Sequence, residues 1–498
     1  MNDAYSDLVT RLREISRLNA ISSLLDWDQE TYMPPRAAAA RADQQALIAG
    51  LAHERLVCDE FAACLDAARA DDADPAARTN IREARRVFDR QRKLPRSLVE
   101  QIAHASSSAK TAWAQARGES NFALFAPALS RLLDLKKEAA ARIGFPNEPY
   151  EALMDEFEPG ATVPALEPVF TQLREATVQL LARIRAAGRQ PDESILVRNY
   201  PRPAQEELTA RMAALLQYDL EAGRIDVSTH PFCTTIGGPT DVRITTRYNE
   251  SFISPALFGT LHETGHALYE QGLQAEHAGT PMGEAVSLGI HESQSRLWEN
   301  MVGRSRAFWE GQYPSVQGLF PEALGDVSLD AFWRAINAVR PSMIRVEADE
   351  LTYNLHIIVR FELERGMLRG DVEVGDIPAA WNEKMKSLLG IVPADDREGC
   401  LQDIHWSMGA FGYFPTYTLG NLYAAQFFET ARAELDDLDG AIRRGDTRPL
   451  LDWLRRSIHR HGQRYRAHEL VQVVTGKPLS IEPLLAYLRA KYGQVYGL

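Results

Sequence analysis

The chain has 498 residues and a formal charge of −13 at neutral pH, with 45% hydrophobic and 25% charged residues. Its size exceeds what one hydrophobic core serves, so two lobes around a central cleft are expected within a single catalytic domain over 1–498, with no linker visible. The acidic balance excludes general nucleic-acid binding, which needs a basic surface to displace counterions from phosphate, and no apolar run is long enough to span a bilayer, which excludes a membrane role.

The first fifteen residues mix both charge signs and lack the basic and apolar regions of a secretory signal. From Leu8 onward, Leu12, Ile15, Leu18, Ile21 and Leu25 recur three or four apart, the spacing of an amphipathic helix. Stretches around 36–70, 99–144, 164–188 and 203–222 read the same way, separated by short clusters such as Asp71-Asp72-Ala73-Asp74-Pro75. The fold class is therefore mainly α. Cys58, Cys64, Cys233 and Cys400 form no paired C-x-x-C unit, so a cytoplasmic location is expected.

The exception is 225–248, where Val242, Ile244, Thr246 and Tyr248 alternate with Arg243, Thr245 and Arg247 after a turn at Gly237-Gly238-Pro239. A small hairpin is expected there. Either one of its strands borders the cleft and pairs with an extended peptide, or the hairpin is structural only.

The next helix carries His262-Glu263-Thr264-Gly265-His266, an H-E-x-x-H pattern. Ser254 suits its cap, Pro255 its first turn, Leu257, Phe258, Leu261 and Leu268 its buried face, and Gly272 a left-handed stop. Helical spacing puts both imidazoles on one face, where they can reach one cation; the bland alternative is two core histidines satisfied by carbonyls. Catalytic zinc takes three protein ligands and keeps a fourth position open, so a third ligand must come from elsewhere. Glu284, His291 and Glu292, on a second helix read over 283–296, are the candidates, and spacing does not choose among them. No third histidine follows in the metzincin arrangement, which favours a glutamate. Glu263 is too short to share the cation but suits a general base toward an activated water, and peptide hydrolysis is the natural product of these parts.

Further motifs follow in order: His230-Pro231-Phe232, Asp241-Val242-Arg243-Ile244-Thr245, His291-Glu292-Ser293, Ile344-Arg345-Val346-Glu347-Ala348-Asp349, and Gly399-Cys400-Leu401-Gln402-Asp403-Ile404-His405-Trp406. Together with the N-terminal segment from Leu25 to Pro34 they make the chain resemble the carboxypeptidase Taq family of zinc metallocarboxypeptidases over nearly its whole length. The resemblance implies a helical cleft fold like that of neurolysin and the angiotensin-converting enzymes, with a small β-sheet next to the zinc helix, and a homodimer. It implies one zinc per chain, with Glu292 as third ligand and His291 as a supporting residue, although two histidines and a carboxylate also take cobalt or manganese. It points to Arg345 as the cation that receives a peptide's free C-terminal carboxylate, against the alternative of a local ion pair with Glu347 or Asp349. His405 is placed at the site, Tyr417 against the scissile carbonyl, and Asp241, Arg243 and His230 along the substrate groove. A zinc oligopeptidase cutting internal bonds is the runner-up, separated from the carboxypeptidase only by Arg345. A peptide-binding helical scaffold without turnover is the third reading, opposed by the intact Glu263.

Overall fold

The spacing of Leu8, Leu12 and Ile15 becomes the inner stripe of a helix over Asp3–Thr31, packed on Phe61, Leu65 and Phe88. The computed structural model describes residues 3–71 and 74–498; of the expected separator at 71–75, Asp72 and Ala73 lie outside the described residues. The remaining helical stretches are present with sharper limits. The 36–70 stretch divides into Ala38–Val57 and Asp59–Ala67, because Cys58 turns to extended backbone. Likewise 99–144 becomes Arg96–Gly118 and Ala126–Ile143, broken where Ser120 adopts a positive φ of 50°. The helix expected over 203–222 covers only Arg202–Leu215, since Gln217 turns left-handed at φ 70°. Apolar periodicity does not register a backbone reversal of this kind.

The chain divides into two units, each drawn from three sequence segments. The first contains Met1–Gln91, Asp192–Ile336 and Tyr423–Pro478. It holds the whole sheet, formed by β1 (Gly223–Val227), β2 (Cys233–Thr235) and β3 (Val242–Thr246) in the order β1-β3-β2. The expected hairpin is β2 antiparallel to β3; β1 adds to the far side of β3 in parallel register. Val242 and Ile244 point inward and pack on Ala267 of the H-E-x-x-H helix, so the alternation in the sequence is the contact that seats this helix on the sheet.

The H-E-x-x-H helix runs over Ser254–Gly272, with Ala256, Leu257, Leu261, Ala267 and Leu268 fully buried. Its ends differ from the sequence reading. Ser254 is the first helical residue, and the cap position falls to Ile253, with no side-chain cap. Gly272 is needed for close packing and is no left-handed stop: a Cβ there would lie 2.1 Å from His459 Nδ1. Gly265, inside the motif, is equally constrained, because its Cβ would come within 2.6 Å of Ser295 Cα. This backbone-to-backbone approach is what lets a side chain one turn away on the neighbouring helix reach His262 and His266. That neighbour spans Leu288–Arg296, shorter than the expected 283–296 because Ser287 caps it, its side chain accepting from the Ile290 amide. Glu284 is left outside the helix on extended backbone. From Leu297 to Val302 the helix continues as a π turn.

The second unit contains Arg92–Pro191, Asn337–Leu422 and Leu479–Leu498. Arg345 opens a short 3-10 turn, Arg345–Glu347, ahead of the helix Tyr353–Arg369. Asp349 fixes the link between them, its carboxylate accepting from the amides of Arg340, Leu351 and Thr352 and from the Thr352 hydroxyl. Another buried carboxyl, Glu364, accepts from Tyr150 Oη, Trp406 Nε1 and the Gly412 amide at 2.9–3.0 Å and so anchors the loop carrying His405. Among the described residues no helix is long and apolar enough to cross a membrane.

Candidate metal centre and carboxylate anchor

In the first unit, His262, His266 and Glu292 bring one donor atom each within 4.8 Å of one another. Glu292 Oε2 lies 3.7 Å from His262 Nε2 and 3.4 Å from His266 Nε2. Metal–ligand bonds of about 2.0–2.1 Å at tetrahedral angles separate neighbouring ligands by about 3.4 Å, so Glu292 Oε2 stands from each imidazole close to the distance that one shared cation needs. The far ring nitrogens are engaged elsewhere, which fixes the tautomers. His262 Nδ1 is 2.9 Å from Glu299 Oε2, and an ionised carboxylate only accepts, so the proton sits on Nδ1 and Nε2 keeps its lone pair. On the other histidine a longer chain does the same. His291 Nε2 donates to Glu270 Oε1 at 2.8 Å, His291 Nδ1 is then an acceptor, and His266 Nδ1 donates to it at 2.6 Å and toward the His291 carbonyl at 3.0 Å. Thr235 of β2 closes the chain by donating to Glu270 Oε2. The residues thus fit a divalent cation with an N2O donor set.

Charge follows geometry. Burial opposes ionisation of Glu292, but Arg296, His262 and His266 hold its carboxyl well below the usual range. Glu299 is held low in the same way by His262, Arg296 and Arg304, again against the pull of burial. Glu263 goes the other way: burial pushes it up to about 7, which His262 offsets and Glu292 reinforces. The carboxyl between the two histidines is therefore poised near neutrality, the value that suits proton transfer in both directions.

The second unit holds a different cluster. Arg345 is buried, and its Nε and NH2 both donate to Asp403 Oδ1, at 3.0 and 2.8 Å, while NH1 donates to Tyr353 Oη at 2.9 Å. Arg360, fully buried, donates to Asp403 Oδ2 through Nε at 2.7 Å and to Gln402 Oε1 at 2.7 Å. Gln402 Oε1 also takes the Arg345 amide, so the Gln402-Asp403 pair grips Arg345 by backbone and side chain together. Burial opposes the Asp403 charge, yet the two guanidiniums hold its carboxyl well below the usual range. Asp349 is occupied as a turn cap, so the local ion pair considered for Arg345 gives way to one with Asp403, 58 residues on. The His405 ring lies tilted against Phe414 and edge-on to Tyr413, at 4.5 and 5.1 Å between ring centres, and the Arg345 guanidinium lies 5.0 Å over the ring of Tyr417. Burial lowers His405 to about 4, so it is neutral at physiological pH, and its Nδ1 has no hydrogen-bond partner among the described residues.

Two further buried histidines are expected to weaken the fold in acid. Burial lowers His356 to about 3, with Arg360 adding to it, and His459 to about 3, with Arg455 adding. The unfolded chain protonates such groups below about 6.5 while the folded one resists down to about 3, so stability is lost progressively as pH falls through that window. Each contributes up to about 5 kcal/mol to the loss at its end. In scanning calorimetry from pH 7 to pH 4, the Tm of His356→Leu is expected to fall less steeply than that of the unsubstituted chain; parallel curves would show that His356 does not carry the acid limit.

Comparison with known proteins agrees with this constellation. The profile described as Carboxypeptidase Taq (M32) metallopeptidase matches residues 7–492. The chain belongs to the carboxypeptidase Taq (M32) family. Thermostable carboxypeptidase 1 of Thermus thermophilus is 48% identical over 99% of both chains, and carboxypeptidase 1 of Bacillus subtilis is 39% identical over 98% of this chain and 97% of the other. The crystal structure of an M32 carboxypeptidase from Deinococcus radiodurans superposes with a TM-score of 0.97 at 41% identity over 100% of both chains. Membership makes the protein a metal-dependent carboxypeptidase, a peptidase hydrolase, ahead of the oligopeptidase and scaffold readings.

Within this M32 chain, the residues singled out from sequence fall into three groups. His262, His266, Glu292 and Glu263 come together in the first unit, and Arg345, His405 and Tyr417 in the second. Asp241 and Arg243 pair with each other, at 2.7 and 2.8 Å, with Arg243 stacked 4.5 Å over Trp27; His230 is exposed, its carbonyl accepting from the Ser228 hydroxyl. Sequence reasoning missed Glu270, Glu299, Arg296 and Arg360. Only the i, i+4, i+7 spacing of Glu292, Arg296 and Glu299 offered a signal.

Proposed function

We propose that each chain holds one zinc ion through His262, His266 and Glu292 and releases single C-terminal residues from peptides, working as one catalytic domain over 1–498. One observation carries this reading: three donor atoms gather within 4.8 Å of one another while the opposite ring nitrogens are tied to Glu299 and His291. A divalent cation bound there supplies Lewis acidity toward a water and a carbonyl oxygen, and cobalt or manganese suits the same donors.

The chain's own residues do the rest. Glu263 takes a proton from the attacking water and delivers it to the departing amine nitrogen as the C–N bond breaks. Tyr417 offers its hydroxyl to the carbonyl oxygen as negative charge develops there. Arg345 receives the C-terminal carboxylate, with neutral His405 offering a ring nitrogen beside it. Support for the anchor comes from charge: the hydrogen-bonded cluster joins two guanidiniums to one carboxylate, a surplus of one positive charge that a substrate carboxylate balances. His230, Asp241 and Arg243 line the path of the peptide. Four free cysteines suit a reducing cytoplasm, and the homodimer expected from the family resemblance belongs to the same reading.

The test is an unstructured peptide with a free C-terminus beside its C-amidated twin, each incubated with zinc-loaded protein and followed by mass spectrometry. A ladder losing one residue at a time from the free acid alone is expected. Equal trimming of the amide would remove the carboxylate anchor, and sedimentation of the same sample reads the dimer.

A further inference from the structure

We infer that Arg296 is a positioning residue that makes Glu292 ligate through a single oxygen. The inference rests on the reading of His262, His266 and Glu292 as the zinc ligands and concerns how the third is presented. Glu292, Arg296 and Glu299 are spaced i, i+4, i+7 and so follow one face of the ligand helix into its π turn. Arg296 Nε donates to Glu292 Oε1 at 2.6 Å. The other oxygen, Oε2, is the one that faces both imidazoles, and it accepts a long hydrogen bond from the Ser295 hydroxyl at 3.4 Å. The same guanidinium reaches Glu299 Oε2 through NH1 at 3.5 Å, the oxygen that takes the proton of His262 Nδ1. One cation therefore bridges the carboxylate that ligates and the carboxylate that orients the first histidine.

The consequence is chemical. A carboxylate with both oxygens free can chelate, and a second oxygen on the ion would occupy the position that water and substrate need. With Oε1 held by a charge-assisted hydrogen bond, Glu292 contributes one oxygen, and three protein ligands leave a fourth position open. Arg304 steadies the arrangement from behind: its NH2 donates to Glu299 Oε1 at 3.1 Å while its guanidinium lies 3.6 Å over the Phe258 ring. The π turn begins one residue after Arg296 and carries Glu299, a local departure of the kind that collects at functional sites.

Zinc K-edge absorption on fully loaded protein tests this by counting light-atom neighbours. In Arg296→Met the count is expected to rise by one over the unsubstituted protein, with zinc still at one per chain, and kcat to fall about tenfold or more. Arg296→Lys, which keeps a cation for Oε1, is expected to restore the original count, whereas a purely structural ion pair would leave the count the same in every variant. Should Arg296→Met give no cooperative unfolding transition, Arg296→Leu, which also offers Oε1 no donor, reads the same count. An unchanged count at full loading in the neutral variants overturns the inference alone; substoichiometric zinc in the unsubstituted chain overturns the ligand reading together with it.

Discussion

Glu263→Gln is expected to lower kcat by about a thousandfold while zinc stays at one per chain, within the 10²–10⁴ range that a positioned general base typically supplies. The substitution keeps the shape of the side chain and removes only its capacity to take a proton. Zinc content should not respond, since the proposed donor set is His262, His266 and Glu292 and the hydrogen bonds that orient the rings run to Glu299 and His291. The pH profile gives an independent reading. Burial raises Glu263 to about 7, and the charge of a bound cation draws that value down, so kcat/KM of the unsubstituted enzyme should fall on an acid limb below about 7 as the base is protonated. Residual activity of Glu263→Gln should show no such limb. Activity within tenfold of the unsubstituted enzyme, at equal zinc, would take the base role away from Glu263.

What the sequence discloses and what it withholds separate along a physical line. Local spacing announces the ligand helix pair, because His262 and His266 are one turn apart and the apolar stripe of their helix is continuous. Alternation at 242–246 likewise announces the strand on which that helix sits. Long-range pairing is silent: nothing in the residues around Arg360 says that its guanidinium will meet Asp403, 43 residues away, or that Glu270 will reach His291 across 21. Glycine is ambiguous for the same reason. Gly272 reads as a helix stop until His459, from a distant segment, is seen to need the space of its Cβ. The choice of Glu292 over Glu284 also came through family resemblance, since only the cap at Ser287 shows that the helix starts too late to include Glu284.

Arg345→Met is expected to cost roughly a hundredfold in kcat/KM on a free-acid peptide, in line with the 2–5 kcal/mol typical of breaking a buried charged pair at an interface, and to leave the rate on the C-amidated twin where it was. The asymmetry follows from the charge of the cluster. With Arg345 present, two guanidiniums share Asp403 and one positive charge is unbalanced. Without it, Arg360 and Asp403 remain a closed pair through contacts at 2.5–2.7 Å, so no buried carboxylate is orphaned and the variant should fold. Arg345→Lys should lie between, because an ammonium restores the charge but not the planar fork that meets two carboxylate oxygens and that Tyr353 and Asp403 hold in place. Steady-state kinetics on the peptide pair separates the possibilities: discrimination between acid and amide that survives in Arg345→Met would shift the anchor from Arg345 to its neighbours His405 and Arg360, and a collapse of discrimination with Glu263 chemistry intact would fix exopeptidase selectivity on this one guanidinium.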